Sequence, residues 1–568
     1  MGAGGGRQVT VRADAPWGRV AVATATGFAV LMPLGIIVYQ SFLDAPFFMP
    51  AAKASLSAYR YVLWDGDFHA AFLTSLAIAV GMAGIAVPLG SLLAFLLVRT
   101  DLPGRGWLEP IVLIPIFVSP VVLAFGYVVS VGPVGFFSLW VRQLIGTVPW
   151  NLYSLSSLIL IAGLTHIPHV YLYTSSTLRS VASDLEEAAR ISGASSWQVA
   201  LHVSLPMVWP SILFSGVLVF FLGFELFGLP LILGDPEGLL VLTTYLYKLT
   251  NRLGVPSYQL MAVVAVSIVA ISFPLVYLQR RLLGMSNRYV SVRGKGLSQR
   301  PLALGAWRWM GFAAIMLWLS VTVVLPLSGI FLRSVVDAWG EGVNLLSSLT
   351  LVHFRDLAEE PSLIRAILNT LAVGVLGGAL AVACYTAVGL ASHRWRHFLA
   401  KALDYMVMIP RGMPGLVAGL AFLWVFLFYK PLVPLRSTMF SVWLAYTVVW
   451  LAYGIRLISS ALLQVGPELE EAALSAGATP GQVTRHVTLP LVRFGLIGSW
   501  LLIFMIFVRE YSTAVYLLGP GTDVIGSMIV SLWGTGAVDV VSALSVINIL
   551  LVAAGLIVAL RLGVRLHA

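Results

Sequence analysis

Twelve runs of predominantly apolar residues recur along this 568-residue chain, each near the roughly 20 residues a helix needs to cross a bilayer. With soft ends they fall at 19–41, 70–98, 108–132, 156–178, 209–233 and 259–282, and again at 307–332, 364–392, 403–428, 439–463, 493–518 and 540–562. Charged residues make up 10% of the chain, against about 25% for a soluble domain. So few charges cannot cover a soluble surface of this size, and lipid must cover much of it. Within hydrocarbon every backbone N–H and C=O has to bond inside its own segment, which selects helices. The expected fold is an all-α polytopic membrane protein of about 12 transmembrane helices. The first run follows Arg7, Arg12 and Arg19, is as long as a full span and carries no small-residue cleavage site. It is expected to be an uncleaved first helix, not a signal peptide.

The net charge of +10 resides in alternate short loops, with Arg99 and Arg105, Arg280 to Arg300, Arg394 to Lys401, and Arg561 and Arg565 on one side. That is a positive-inside pattern and not a nucleic-acid face. It places these loops and both termini in the cytoplasm, for a chain in the cytoplasmic (inner) membrane. The opposite side holds Asp44, Asp65, Asp235, Glu237, Asp337, Asp356 and Asp523. Three segments there, 44–69, 235–258 and 333–362, are too polar to span. They should form short helices or loops open to an extracytoplasmic partner. Cys384 is the single cysteine, which excludes an intramolecular disulfide; a small buried residue is expected.

The chain is also duplicated. EEAARISGASSWQVALHVSLP carries Glu187, Ala188, Ala189, Gly193, Leu205 and Pro206; EEAALSAGATPGQVTRHVTLP carries Glu471, Ala472, Ala473, Gly477, Leu489 and Pro490. In both, Glu to Gly is 6 positions and Gly to Pro is 13, and the copies lie 284 residues apart. Thr74-Ser75-Leu76 answers Asn369-Thr370-Leu371, and Leu113-Ile114-Pro115 with Ser119-Pro120 answers Met408-Ile409-Pro410 with Met413-Pro414. The expected division is a first half at 1–285 with its loop at 183–206, a cytoplasmic linker at 286–305, and a second half at 306–568 with its loop at 467–490. Six spans per half is an even number, so the halves are parallel, related by an axis along the membrane normal. That argues against inverted-repeat carriers built from an odd number of spans.

Each cassette reads as a helix, a stop and a second helix lying along the membrane surface. Ser183 or Asp184 can cap the first copy, and Pro467 suits the first turn of the second. The acidic first turns complement the helix dipole. The alanines leave a surface without bulk, Gly193 and Gly477 end the helix, and a new helix starts near Ser195 or Thr479. Leu-Pro then resets direction before the fifth span.

Glu-Ala-Ala, three residues, Gly and a later Leu-Pro resembles the EAA loop of permease subunits in binding-protein-dependent ABC importers, and the resemblance covers essentially the whole chain. It implies a type I importer fold, with the first helix of each half wrapping the other. It implies that the two loops dock on two ATP-binding subunits, expected to be a homodimer, and that ATP and Mg bind there, with no cofactor on this chain. It also implies a periplasmic or lipid-anchored substrate-binding protein on the far side. The chain has no GxxxxGK[ST] loop, only Gly294-Lys295-Gly296, so it is not expected to hydrolyse ATP. Fused halves, and FELFGLPLILGDPEGLLVLTTYLYKL after the first cassette, look most like ferric-iron permeases. Thiamine, polyamine and 2-aminoethylphosphonate permeases are the alternatives.

Ionisable residues inside spans are costly and mark pathways. Glu225 and Glu510, 285 residues apart, read as near-equivalent positions about 20 residues beyond each Leu-Pro, or roughly 30 Å of helix rise. Two carboxylates there would suit a hard cation. Alternatively, Glu510 pairs with Arg509 or Arg411 and Glu225 caps a broken helix. Arg411, between Pro410 and Pro414, implies such a break. His166 and His169 share a helix face, but nothing nearby completes a metal site, so pore lining or polar packing is expected. Tyr171 and Tyr173 read as core or interface residues. An ion-coupled secondary carrier would leave the duplicated cassette unexplained. A membrane enzyme would need a nucleophile or metal motif that the chain lacks.

Overall fold

A computed structural model describes residues 17–180, 186, 188, 189, 191–251, 256–289, 301–340, 342–345, 347–395 and 397–563. Glu187, Ser183, Asp184, Arg7, Arg12 and linker residues 290–300 lie outside the described residues. Among those described the secondary structure is helical, with three isolated β-bridges and no strand. Ten helices are long and apolar enough to cross a membrane, or twelve when two bent pairs are each taken as one span.

The first, second and sixth spans of each half, and the fourth of the first half, follow the apolar runs. They include Trp17–Ser41, Gly66–Arg99, Leu155–Ser180 and Tyr258–Tyr289 in the first half. The third spans do not. Instead of one helix over 108–132, Arg105–Val112 ends, one turn follows at Ile114–Phe117, and Pro120–Val131 resumes. In the second half, Phe398–Gly412 and Gly415–Phe428 meet at 110°. Pro120 and Pro414 explain both breaks: a proline forces the residue before it out of helical backbone, and Ser119 and Met413 are extended. The run at 439–463 bends by 61° between Val449 and Leu451. The fifth spans also end before 233 and 518. Their helices stop at Glu225 and Arg509, Gly228–Leu233 is a separate short helix, and 510–524 runs without helix.

Trp17–Ser41 packs on second-half helices Gly378–Ser392, Phe398–Met406 and Gly415–Phe428, while Leu325–Ser334 packs on Pro120–Val131 of the first half. Each first helix therefore wraps the other half. The repeated Ser75 and Thr370 do the same job in both halves: Ser75 Oγ accepts from the Leu242 N–H and Thr370 Oγ1 from the Ile525 N–H, each at 2.9 Å. Each anchors the start of a short helix, Leu242–Asn251 or Ile525–Gly534, on the far side. The polar segments carry Ser57–Trp64, Leu242–Asn251 and Val352–Glu359. Tyr245 donates to Asp65 at 2.5 Å, and Lys248 pairs with Asp67 at 2.9 Å. Cys384 is exposed on Gly378–Ser392, not buried.

Gly454 sets one helix crossing. A Cβ there would lie 2.1 Å from the Tyr385 ring, and Tyr385 is fully buried and bonded to the Thr447 carbonyl at 2.8 Å. The ring has nowhere to retreat. Gly454→Ala is expected to destabilise the chain by about 1–3 kcal/mol, read as a lower thermal midpoint in detergent. An unchanged midpoint would refute this packing.

Candidate functional site

The helix of the second cassette, Pro467–Ser475, starts after Gly466 with its proline in the first turn. It ends where Gly477 takes φ +90°. There the Ala478 N–H donates to the Ala473 carbonyl at 3.1 Å and the Gly477 N–H to Leu474 at 3.0 Å, the paired bonds of a Schellman end. Gly193 has φ +88°, and the Ala194 N–H donates to Ala189 at 3.0 Å. The helices that follow open on matching capping boxes. Thr479 N–H donates to Gln482 Oε1 and Ser195 N–H to Gln198 Oε1, both at 2.8 Å, and each glutamine N–H returns a bond to the hydroxyl. A Ser/Thr followed three residues later by Gln was visible in both cassettes. Ala188, Gly193, Glu471, Ala472 and Gly477 are exposed, with Ala189 and Ala473 half-buried.

Leu205-Pro206 and Leu489-Pro490 do not reset direction. A five-residue π turn, Ala200–Ser204 or Thr484–Thr488, runs straight into the fifth helix, Leu205–Glu225 or Leu489–Arg509. The wider turn takes the helix past a proline that has no N–H to give. Pro480–Arg509 is thus one 30-residue helix, about 45 Å long. It joins the cassette to the interior.

The residue before each motif glutamate, itself an acid of the first turn, is held tightly. Glu186 pairs with Arg99 at 3.2 Å and accepts from Ser204 Oγ at 2.7 Å. Glu470 pairs with Arg394 at 2.6 Å and accepts from Thr488 Oγ1 at 2.9 Å. His393 Nε2 lies 3.6 Å from the Glu470 carboxylate, and burial holds this imidazole below its ordinary range.

All six pathway candidates come together around two adjoining cavities. One, of about 180 Å³, is lined by His166, His169, Glu225, Arg509 and Glu510; the other, of about 230 Å³, by His169, Glu225, Arg411 and Arg509. Trp450 lines both, and Tyr173 and Tyr453 line the second. Tyr173 lines the second cavity beside Arg411 and is not plain core; Tyr171 is fully buried. The His166 and His169 rings stack with centroids 5.1 Å apart, and His166 Nδ1 donates to the Ala162 carbonyl at 2.7 Å. Among the described residues no three His, Cys, Asp or Glu side chains form a group able to hold a metal ion.

Glu225 and Glu510 are not equivalent positions. Both fifth helices start at Leu-Pro and run 21 residues, so Glu225 and Arg509 are the matching last residues. Opposite charges stand at the matching positions, and Glu510, one residue further on, lines the smaller cavity together with Glu225. Glu510 begins the next turn, where its carboxylate accepts from Ser512 Oγ at 2.7 Å, Thr513 Oγ1 at 3.0 Å and Thr513 N–H at 3.1 Å. Glu225 stands beside the Gly415 backbone N–H, at the start of helix Gly415–Phe428. A first-half carboxylate thereby lies at the start of a broken helix of the second half, where the dipole favours negative charge. Arg509 reciprocates, donating from Nη1 to the Ile116 carbonyl in the broken span of the first half.

Comparison with known proteins agrees with this architecture. The family described as binding-protein-dependent transport system inner membrane component matches twice, over residues 86–284 and 379–567, once around each cassette and its cavity-lining helices. A Sinorhizobium fredii protein named as a probable ABC transporter permease is 25% identical, with 76% of this chain and 75% of that one covered. A ferric transport system permease protein of Actinobacillus pleuropneumoniae is 22% identical over 88% of this chain and 71% of that one. A putrescine transport system permease protein of Escherichia coli is 26% identical over 34% of this chain and 69% of that one. Matched in both halves, this multi-pass inner-membrane chain belongs to the binding-protein-dependent transport system inner membrane components, as a duplicated type I ABC importer permease.

Proposed function

We propose that this chain carries ferric iron across the inner membrane, driven by ATP hydrolysed on two ATP-binding subunits docked at Ala188–Gly193 and Glu471–Gly477. The observation that carries the cargo assignment is coverage: the ferric permease relative aligns along 88% of the chain, and so through both halves, whereas the putrescine relative aligns along 34%. The cavities fit a small cargo, since both fall below the roughly 300–1,000 Å³ of ordinary ligand pockets. A binding protein delivers the ion on the side carrying Leu242–Asn251, and the basic loops and both termini lie in the cytoplasm.

In this mechanism the fifth helices are levers. ATP-driven closure of the partner subunits brings the two loops together, and each continuous helix carries that motion to Glu225 or Arg509. Moving these residues withdraws Glu225 from Gly415 and the Arg509 bond from Ile116. The two broken third spans part, and the cavities open toward the binding protein. Release of ADP restores both contacts.

Uptake into vesicles holding the chain, its ATP-binding subunits and its binding protein tests the reading, with Fe³⁺ in competition with thiamine, putrescine and 2-aminoethylphosphonate. Saturable ATP-dependent Fe³⁺ uptake is expected. Glu225→Gln should lower it on the order of tenfold, the scale of a lost coupling interaction. Uptake of an organic solute would overturn the iron assignment and turn attention to Arg411 as its contact. Uptake driven by an ion gradient without ATP would overturn the importer mechanism itself.

A further inference from the structure

We propose that Arg99, Glu186 and Ser204 in the first half, and Arg394, Glu470 and Thr488 in the second, are coupling clasps that make each docking helix and its membrane helices move as one body. The inference rests on the ATP-driven mechanism above and adds positioning residues to it. Each clasp joins four elements through one carboxylate and one guanidinium. Arg99 ends the second span, Gly66–Arg99; its Nη1 meets Glu186 on the docking segment, and its Nη2 donates to the Leu178 carbonyl, at the end of the fourth span, at 2.7 Å. The second Glu186 oxygen holds Ser204, the last residue before the fifth helix. In the second half Arg394 does likewise, with Nη1 on Glu470 and Nη2 on the Val465 carbonyl at 3.2 Å, while Thr488 holds the second Glu470 oxygen.

Three observations favour coupling over incidental surface pairing. The guanidinium–carboxylate and hydroxyl–carboxylate bonds occur twice with the same atoms in the same roles, while the carbonyl differs, Leu178 lying within the fourth helix and Val465 just beyond Leu451–Leu462. The Arg99, Glu186 and Glu470 side chains are 6%, 12% and 12% exposed and Arg394 38%, so three of the four charged groups are largely shielded from water, where removing one partner leaves the other's charge uncompensated. Arg394 keeps its place with φ +52°, a backbone conformation that residues with a Cβ avoid unless the surroundings enforce it. The joint being bridged is also irregular. A five-residue π turn lies between the cassette and the fifth helix in both halves, a departure from regular α-helix of the kind found at functional sites. The clasp spans it by tying the cassette carboxylate to Ser204 or Thr488.

The test reads motion, and so needs no cargo. In a Cys384→Ser background, spin labels at exposed His202 and His486 report the loop side, and labels at exposed Glu237 and Thr535 report the far side. Distances are measured with and without ATP in the assembled transporter. In the chain with both clasps intact, ATP should change both distances. In E186A/E470A the loop-side change should persist while the far-side change falls on the order of fivefold or more, the span of allosteric coupling energies. The charge-swapped R99E/E186R, R394E/E470R should recover part of it. If the doubly substituted chain does not assemble, E186A alone should give a half-sized far-side loss. Equal far-side motion in all variants would overturn the clasps, as would a loss of ATP-binding subunits in proportion to the lost motion. Absence of any ATP-dependent motion in the intact chain would overturn the importer mechanism and the clasps with it. Intact motion without Fe³⁺ uptake would overturn only the cargo.

Discussion

Arg509→Leu is expected to cost about 3–5 kcal/mol of stability, the usual loss when one partner of a shielded charge set is removed, and to abolish uptake. The Ile116 carbonyl loses its donor, and Glu225 loses the cation that lines the same cavities. Glu510 suffers less, because Ser512 and Thr513 supply its carboxylate with three bonds. Arg509→Lys should recover the charge but not the planar fork, and so only part of the stability. Adding Glu225→Gln to Arg509→Leu should return a share of the loss, since the uncompensated charge is then gone. Thermal unfolding in detergent measures each step. A double variant as unstable as the sum of its singles would show that the two residues act independently.

The second large effect concerns Gly193 and Gly477. Nothing lies within 4 Å of a Cβ added at either position, yet their φ angles are +88° and +90°. The cost of substitution is therefore in the backbone, about 1–2 kcal/mol for an ordinary L-residue, and not in crowding within this chain. Gly477→Asn should be mild, Gly477→Ala intermediate and Gly477→Val severe, because Asn tolerates left-handed backbone and β-branched residues do not. At 1.4 kcal/mol per decade, Gly193→Val with Gly477→Val should weaken capture of the ATP-binding subunit about tenfold or more. Affinity of the purified chain for that subunit is the readout. Equal loss with Asn and Val would mean that crowding against the partner, and not backbone strain, sets the effect; no loss with Val would refute the docking role.

Much of the molecule was legible in order of sequence range. The capping boxes, the Schellman glycines and the proline in the first turn of Pro467–Ser475 are set by neighbours within six positions, and residue type alone announces them. The broken second-half third span was legible from Pro410, Arg411 and Pro414. Its first-half counterpart was missed because the apolar run continues unbroken through Pro115 and Pro120. Leu-Pro misled because a proline usually redirects a chain, whereas here a π turn absorbs it. The offset of 285 between Glu225 and Glu510 concealed that the helices run in register from Leu-Pro, so that the matching residue is Arg509.

The class was readable from residue order: twelve apolar runs, a duplication and two copies of one polar cassette, because hydropathy and short-range spacing act through covalently close residues. Only the tertiary structure decided who pairs with whom. Arg509 reaches Ile116 across 393 positions, and Arg99 reaches Glu186 across 87. Glu225 stands at the start of a helix of the other half. Such partners are chosen by how helices cross and wrap between the halves. Among many charged residues of similar type, packing geometry and not composition selects which two share a site shielded from water.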